Sequence, residues 1–215
     1  MLLAHEARTA RVHPLYVSAG LAWEAEERAI AAQLLELAPF KSHVAPLVAL
    51  DFTVRDLYPS SHWALRGTPP AYDTPDEDVY LVGRNVLLIA KGSVYCARHG
   101  VPRLVLGPLA GNPFPDARPE FFAAMGTAVS LGLDHPLVVA APVRHLHKQD
   151  VIRLGVELAV PLEKTMSCMN PARGEHCGAC SKCRERQQAF ASARVADPTR
   201  YAASRDGGGP QASVD

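Results

Sequence analysis

The residues most suited to chemistry are four cysteines in the pattern Cys168-x8-Cys177-Gly178-Ala179-Cys180-Ser181-Lys182-Cys183. Two overlapping C-x-x-C turns and a fourth cysteine nearby can present four thiolates to one soft, tetrahedral cation. Gly178 lets the backbone turn tightly behind such an ion. Cys183 falls where a helix is expected to start, and a helix N-terminus favours a thiolate. The pattern predicts a structural zinc site at Cys168, Cys177, Cys180 and Cys183, with no open position for a catalytic water. The competing readings are a redox C-x-x-C pair or reduced core cysteines. His176 replacing one sulfur is a weaker variant. Cys96 lies in an apolar helical stretch and reads as core.

Other residues carry weaker signals. Asp116 and Arg118 sit in a Pro-rich loop after an expected strand. An aspartate there can accept hydrogen bonds from a ligand edge, and an arginine can pair with a carboxylate or phosphate. The plain alternatives are a turn-shaping aspartate and a surface arginine. Arg84 and Asn85 open a helix, where they either contact ligand or serve as caps. Lys148, in another first turn, either reaches phosphate oxygens or is solvated.

The elements that must position these groups alternate. Helix Met1–Arg8 precedes strand Arg11–Ser18. Leu21–Ala38 reads as an amphipathic helix with Ile30, Leu34 and Leu37 on one face and Glu24, Glu26, Glu27 and Arg28 largely elsewhere. Strand His43–Phe52 and an irregular Pro-rich stretch, Tyr58–Asp78, follow. Then come helix Asn85–His99, strand Arg103–Gly107, a loop, and helix Pro119–Leu133. Strand Leu137–Ala140, helix Lys148–Leu158, the cysteines and helix Lys182–Arg194 complete the series. Strand–helix alternation predicts an α/β fold with a doubly wound parallel sheet. Ligands in such sheets sit beyond the C-terminal strand ends, so Ser18–Ala22, Asp51–Asp78 and Gly107–Arg118 should line one crevice.

Composition sets outer bounds. The chain has 215 residues, 48% hydrophobic, with 22 basic residues balancing 22 acidic ones. Balanced charge argues against a general nucleic-acid binder. Lys182, Arg184, Arg186 and Arg194 read as a solvated helix face. No apolar run approaches the ~20 residues of a membrane span. Met1–Leu3 is too short for a signal core. The expectation is therefore a cytoplasmic protein, where clustered cysteines serve metals rather than disulfides.

Several stretches together resemble 7-cyano-7-deazaguanine synthases, the ExsB-type branch of the PP-loop ATP pyrophosphatases. They are Val160-Pro161, Thr165-Met166-Ser167-Cys168, the cysteine run through Cys183, Arg186 and Phe190. Gly83-Arg84-Asn85 is similar to the family's proline-glycine-arginine-asparagine stretch. Pro113–Phe121 is similar to its tyrosine-proline-aspartate-cysteine-arginine-proline-glutamate-phenylalanine loop. Leu146-His147-Lys148 is similar to its leucine-threonine-lysine helix start. The resemblance runs from about Val12 to Phe190.

The resemblance implies an adenine nucleotide alpha hydrolase-like, Rossmann-like domain over 1–160. A zinc knuckle and helix would occupy 161–195; beyond them, the composition ending in Asp206-Gly207-Gly208-Gly209-Pro210 reads as a disordered tail, 196–215. It implies ATP, with Mg2+, activating 7-carboxy-7-deazaguanine for attack by ammonia in queuosine biosynthesis. Asp116, Arg118, Arg84 and Asn85 would bind substrate and Lys148 phosphate. No membrane or direct nucleic-acid partner is implied, and a homodimer stays open.

Two departures matter. The family's serine-glycine-glycine-x-aspartate-serine phosphate loop does not occur in these 215 residues. Met1–Ala7 resembles the helix that follows that loop. The expectation is that the strand bearing the loop belongs inside the sheet, so this chain alone has uncovered strand edges, low solubility and no ATP cleavage. Some 15–20 upstream codons would restore both, roughly a strand, a turn and half a helix. The second departure is Val17–Glu24 in place of a tyrosine-glycine-glutamine-arginine-histidine stretch, with Phe114 and Ala117 in the Pro113–Pro119 loop. These leave open a paralogue that adenylylates another carboxylate, or a non-catalytic zinc-stabilised relic.

Overall fold

A computed structural model describes residues 1–202. Helix α1 (Leu2–Glu6) leads into strand β1 (Leu15–Ser18), helix α2 (Glu24–Leu35) and strand β2 (Val48–Asp51). The irregular stretch that follows contains a single-turn helix α3 (Trp63–Arg66) and a 3-10 turn at Asp76–Val79. Helix α4 (Arg84–His99), strand β3 (Arg103–Val105), helix α5 (Pro119–Leu133) and strand β4 (Val138–Ala140) come next, then helices α6 (Lys148–Glu157) and α7 (Ser181–Ala193).

The helices form where the apolar period and the punctuation agree. Helix α4 ends on Gly100, which adopts φ +63° and can close the last turn without a Cβ penalty. Helix α5 opens on Pro119, whose missing N–H costs nothing at that position.

The strands are all parallel, as expected of an α/β fold, but they form two separate pairs. Strand β1 pairs with β2 in the register Leu15–Val48 to Ser18–Asp51. Strand β3 pairs with β4 from Arg103–Val138 to Val105–Ala140. A single doubly wound sheet is not present among the described residues. A cavity of about 830 Å³ lies between the pairs, lined by β1 on one side and β3 on the other. Leu2 and Leu3 of α1 and Leu88 and Gly92 of α4 also line it. No described strand pairs the inner edges of β1 and β3.

Three apolar clusters surround this gap. Ile89 and Cys96 of α4 pack with Phe122 of α5 and with Leu137 and Val139 at β4. Ala4, Leu35, Ile152 and Phe190 join α1, α2, α6 and α7. Trp23, Val54, Ala64, Val79 and Leu81 gather with Cys168, Cys180 and Cys183.

Two polar helix residues, Glu24, read as off the apolar face, and Arg186, read as solvated, are both buried. Glu24 is buried, because its carboxylate accepts from Ser18 Oγ (2.6 Å), Ala19 N (2.8 Å) and Gly20 N (3.0 Å). It thereby closes the turn after β1, where Gly20 has φ +89°. Arg186 is not on a solvated face: it is 7% exposed and donates to Thr199 Oγ1, Ser167 Oγ and the Leu162 carbonyl. Residues 196–202, assigned to the tail by the sequence, are tied back onto this arginine and onto His176, whose N–H donates to the Arg200 carbonyl at 3.1 Å. The rest of that tail, 203–215, lies outside the described residues.

Candidate functional site

The four cysteines come together as their spacing predicts. Cys168 comes from the loop before α7, Cys177 from the following turn, Cys180 from the N-cap of α7 and Cys183 from its first turn. Their Sγ atoms all lie within 4.8 Å of one another. The separations are 3.9 Å for Cys168–Cys180, 3.9 Å for Cys177–Cys183 and 3.6 Å for Cys180–Cys183. Zn–S bonds of about 2.3 Å in a tetrahedron give sulfur–sulfur edges of about 3.8 Å. A disulfide needs about 2.05 Å. The geometry therefore fits a four-thiolate metal and excludes disulfides.

Backbone N–H groups support the sulfurs. Asn170 and Cys177 donate to Cys168 Sγ at 3.2 and 3.3 Å, and Ala179 donates to Cys177 Sγ at 3.4 Å. Such bonds stabilise thiolate charge and fix ligand direction. His176 is not a member of the cluster. Its Nε2 accepts from the Ser167 N–H at 3.1 Å, and it is buried.

The second site is one end of the cavity, beyond the C-terminal end of β3. Arg84, Asn85 and Asp116 all line it. Asp116 reaches across to the first turn of α4. Its Oδ2 accepts from Asn85 N at 3.0 Å, and its carbonyl accepts from Asn85 Nδ2 at 3.0 Å. Gly83, the N-cap residue, makes no side-chain cap, so Asp116 supplies one from 31 residues away. Asparagine and aspartate thus fill the structural role open to them while still facing the cavity.

Arg84 is half-buried, and its side chain forms no ion pair or hydrogen bond among the described residues. Tyr80 and Phe114 stack with centroids 4.7 Å apart and planes at 20°, and both line the cavity. Tyr16 of β1 also faces it, bonded to Glu27 Oε2 at 2.8 Å. Burial and the Glu27 carboxylate push the Tyr16 phenol above its usual pKa, so it stays neutral.

A small adjoining pocket is lined by Ala19, Leu21, Val54 and Tyr58, and shares Arg84 and Leu81 with the cavity. The three loops expected to form one crevice therefore converge on Arg84.

Two candidate residues fall elsewhere. Arg118 is exposed, lies outside the cavity wall and makes no side-chain ion pair. Lys148 is bound into an acidic cluster, 3.3 Å from Asp76 and 2.5 Å from Glu185. Lys182 also pairs with Glu185. This network joins the 3-10 turn at Asp76–Val79 to α6 and α7.

Sequence reasoning missed Glu24, Tyr16 and Tyr80. Only Glu24 left a usable signal, a carboxylate four residues after a glycine at a helix start.

The fold and site define an α/β chain with parallel strands and a four-cysteine cluster able to hold a metal ion. The family model of "Queuosine biosynthesis protein QueC" narrows it, matching residues 2–194. The chain belongs to that family.

Similar proteins carry the name 7-cyano-7-deazaguanine synthase. One from Anaeromyxobacter dehalogenans is 36% identical over 130 residues, covering 57% of this chain and 56% of the relative. One from Thermoplasma volcanium is 36% identical over 128 residues, covering 57% and 53%. One from Dechloromonas aromatica is 33% identical over 186 residues, covering 75% and 83%. In the first two, the chain spans just over half the relative's length. No described helix is long and apolar enough to cross a membrane.

Proposed function

We propose that the chain provides the acid-binding and zinc-stabilised part of a 7-cyano-7-deazaguanine synthase. The reaction is the ATP-dependent conversion of 7-carboxy-7-deazaguanine and ammonia to the nitrile in queuosine biosynthesis. The observation that carries this reading is the meeting of a free Arg84 with Asn85 and Asp116 at the strand-end cavity of a chain from this family.

The chemistry is leaving-group chemistry. A carboxylate oxygen attacks the α-phosphorus of ATP and pyrophosphate leaves, with Mg2+ screening the phosphates. Ammonia then attacks the acyl carbon, AMP leaves, and a proton is lost to give the amide. A second ATP activates the amide oxygen. Pyrophosphate leaves again in that activation; AMP then departs with the oxygen, both protons leave nitrogen, and the nitrile forms. A half-buried arginine with no internal partner suits a substrate carboxylate or an α-phosphate. Zinc, held by four thiolates, fixes the C-terminal segment and takes no part in these steps.

Arg118 is exposed and Lys148 is paired, so their proposed roles need movement. Arg118 would have to fold over the bound substrate. Lys148 would have to exchange Asp76 and Glu185 for phosphate oxygens. The reading also needs a phosphate loop, which these residues lack. On this proposal a strand carrying it occupies the gap between β1 and β3 and completes one sheet.

One observation favours a second reading. Phe114, in the loop where the family resemblance implies tyrosine, is part of the cavity wall. That change fits a paralogue that activates a different acid.

Titration calorimetry with 7-carboxy-7-deazaguanine tests the reading. The chain should bind it, and Arg84→Met should weaken binding at least ten-fold at an unchanged melting temperature. Equal affinity in both proteins would remove Arg84 from the site. No binding by the unaltered chain would remove the proposed substrate.

A further inference from the structure

Residues 71–79 form a strap between helix α7 and the cavity wall, and polar bonds rather than burial hold most of it in place. Ala71, Asp73, Pro75, Glu77 and Asp78 are exposed. Ala71 forms an antiparallel bridge with Cys180. The Tyr72 hydroxyl donates to Gln187 Oε1 at 2.7 Å. Arg184 donates to the Thr74 carbonyl at 3.1 Å and lies 3.8 Å from Asp76 Oδ1. Lys148 reaches the other oxygen of that carboxylate at 3.3 Å. Cys180, Arg184 and Gln187 recur at helical spacing, so one face of α7 carries the strap.

Arg184 follows the metal-site residue Cys183 directly, and its side chain is 17% exposed. Asp76 Oδ1 is closed to solvent and has no hydrogen-bond partner among the described residues, so the Arg184 charge is what faces it. A carboxylate oxygen deprived of its facing cation favours movement into water. The strap would then leave α7.

The strap ends where the cavity begins. The Tyr80 N–H donates to the Glu77 carbonyl at 3.4 Å, so the 3-10 turn carries Tyr80 with it. Val79 and Leu81 on either side, each 6% exposed, pack in the cluster that contains Cys168, Cys180 and Cys183. Tyr80 itself stacks on Phe114 in the cavity wall. Segments with little buried surface open first when their anchors go.

We infer that Arg184 is a positioning residue: it fastens the strap to the helix that carries Cys180 and Cys183, and thereby sets Tyr80 against Phe114. Arg184 lines no part of the cavity and acts on it only through the strap. Metal held by the four cysteines is felt in the cavity by the same route, because the first turn of α7 serves both. Tyr80's position can be read without the proposed function; only the choice of ligand below rests on that reading.

The test labels the full chain with 3-fluorotyrosine and follows Tyr80 by fluorine NMR, its signal assigned with Tyr80→Phe. Phe114→Leu supplies the signal of an unstacked ring. In the zinc-loaded unaltered chain the Tyr80 signal should be displaced from that value. Arg184→Met should keep its zinc and move the signal toward the unstacked value. Gln187→Ala, which lies further from the sulfurs, should move it in the same direction. Arg153→Met is the control: it removes bonds to Asp150 and the Ser192 carbonyl between α6 and α7 and leaves the strap alone, so the signal should stay. Calorimetry with 7-carboxy-7-deazaguanine should show affinity falling roughly two- to thirty-fold in zinc-loaded Arg184→Met and holding in Arg153→Met.

Movement of the Tyr80 signal and loss of affinity in zinc-loaded Arg184→Met, with Arg153→Met unchanged, supports the inference. An unmoved signal in Arg184→Met, or an equal movement in Arg153→Met, overturns it. Loss of zinc from Arg184→Met also overturns it, since the arginine would then belong to the metal site itself. So does unchanged affinity in Arg184→Met when the unaltered chain binds the acid. No binding by the unaltered chain, with the Tyr80 signal still following Arg184, leaves the inference standing and defeats the proposed function.

Discussion

Replacing Cys183 with serine should release the metal and loosen the C-terminal third of the chain. Cys183 is 0% exposed and sits 3.6 Å from Cys180 Sγ and 3.9 Å from Cys177 Sγ. A serine hydroxyl stays protonated near neutral pH and is a poor zinc ligand, so three thiolates would remain in a site shaped for four. Structural zinc contributes about 10–16 kcal/mol in small zinc-dependent folds. Shared evenly over four ligands, one is worth about 2.5–4 kcal/mol on the same basis. For a chain of this length each kcal/mol moves the melting temperature by about 2–4 °C, so the shift should be roughly 5–15 °C downward.

The loss should spread along identifiable contacts. Cys180 caps α7 and bridges to Ala71 in the long loop, and Glu185 of α7 pairs with Lys148 of α6. Elemental analysis should find one zinc per chain in the unaltered protein and much less in Cys183→Ser. Cys96→Ser is the control. That thiol is also buried, at 2%, but packs with Ile89 and Phe122 away from the cluster, so zinc content should not change. Stoichiometric zinc in Cys183→Ser, or a melting temperature indifferent to a strong chelator, would contradict a four-thiolate structural site.

Three further outcomes follow from the packing. Arg186→Lys should cost about 2–4 kcal/mol in urea unfolding, since one ammonium cannot serve Thr199, Ser167 and the Leu162 carbonyl together; an unchanged midpoint would contradict this. Glu24→Gln should cost about 1–3 kcal/mol and speed hydrogen exchange at the Ala19 and Gly20 amides, because the new NH2 group opposes one of three donors; unchanged exchange there would contradict it. Lys148→Met should change stability by less than about 1 kcal/mol, since Lys148 and Asp76 are both more than a third exposed and Lys182 still pairs with the more buried Glu185; a larger loss in thermal melts would make the lysine structural rather than available to phosphate.

The clustering of the four cysteines was legible in the sequence because its chemistry is local. Four sulfurs within sixteen residues leave the chain few other ways to use them. The helices were legible for the same reason: α5 begins and ends at the residues its proline and apolar period imply. Long-range features were not. Spacing alone cannot reveal that Asp116 caps α4 from 31 residues away, or that Arg186 turns inward to hold residues Leu162 and Thr199. Polar residues on a helix look solvated until their partners are known, which is why Arg186 reads as part of a solvated face and Glu24 as lying off the apolar one. The sheet was foreseen as parallel but not as two separated pairs, because strand alternation specifies direction and says nothing of which edges meet.

On the proposed function, this chain activates a 7-deazaguanine carboxylate once a phosphate loop fills the gap between β1 and β3. The direct measurement is pyrophosphate release and nitrile formation from 7-carboxy-7-deazaguanine, ATP, Mg2+ and ammonia. It compares the 215-residue chain with the same chain preceded by a strand and a serine-glycine-glycine-x-aspartate-serine loop. Acid-dependent pyrophosphate release and nitrile are expected from the extended protein and neither from the shorter one. Acid-dependent turnover by the 215 residues alone, or none by a folded extended protein, would contradict the proposed function.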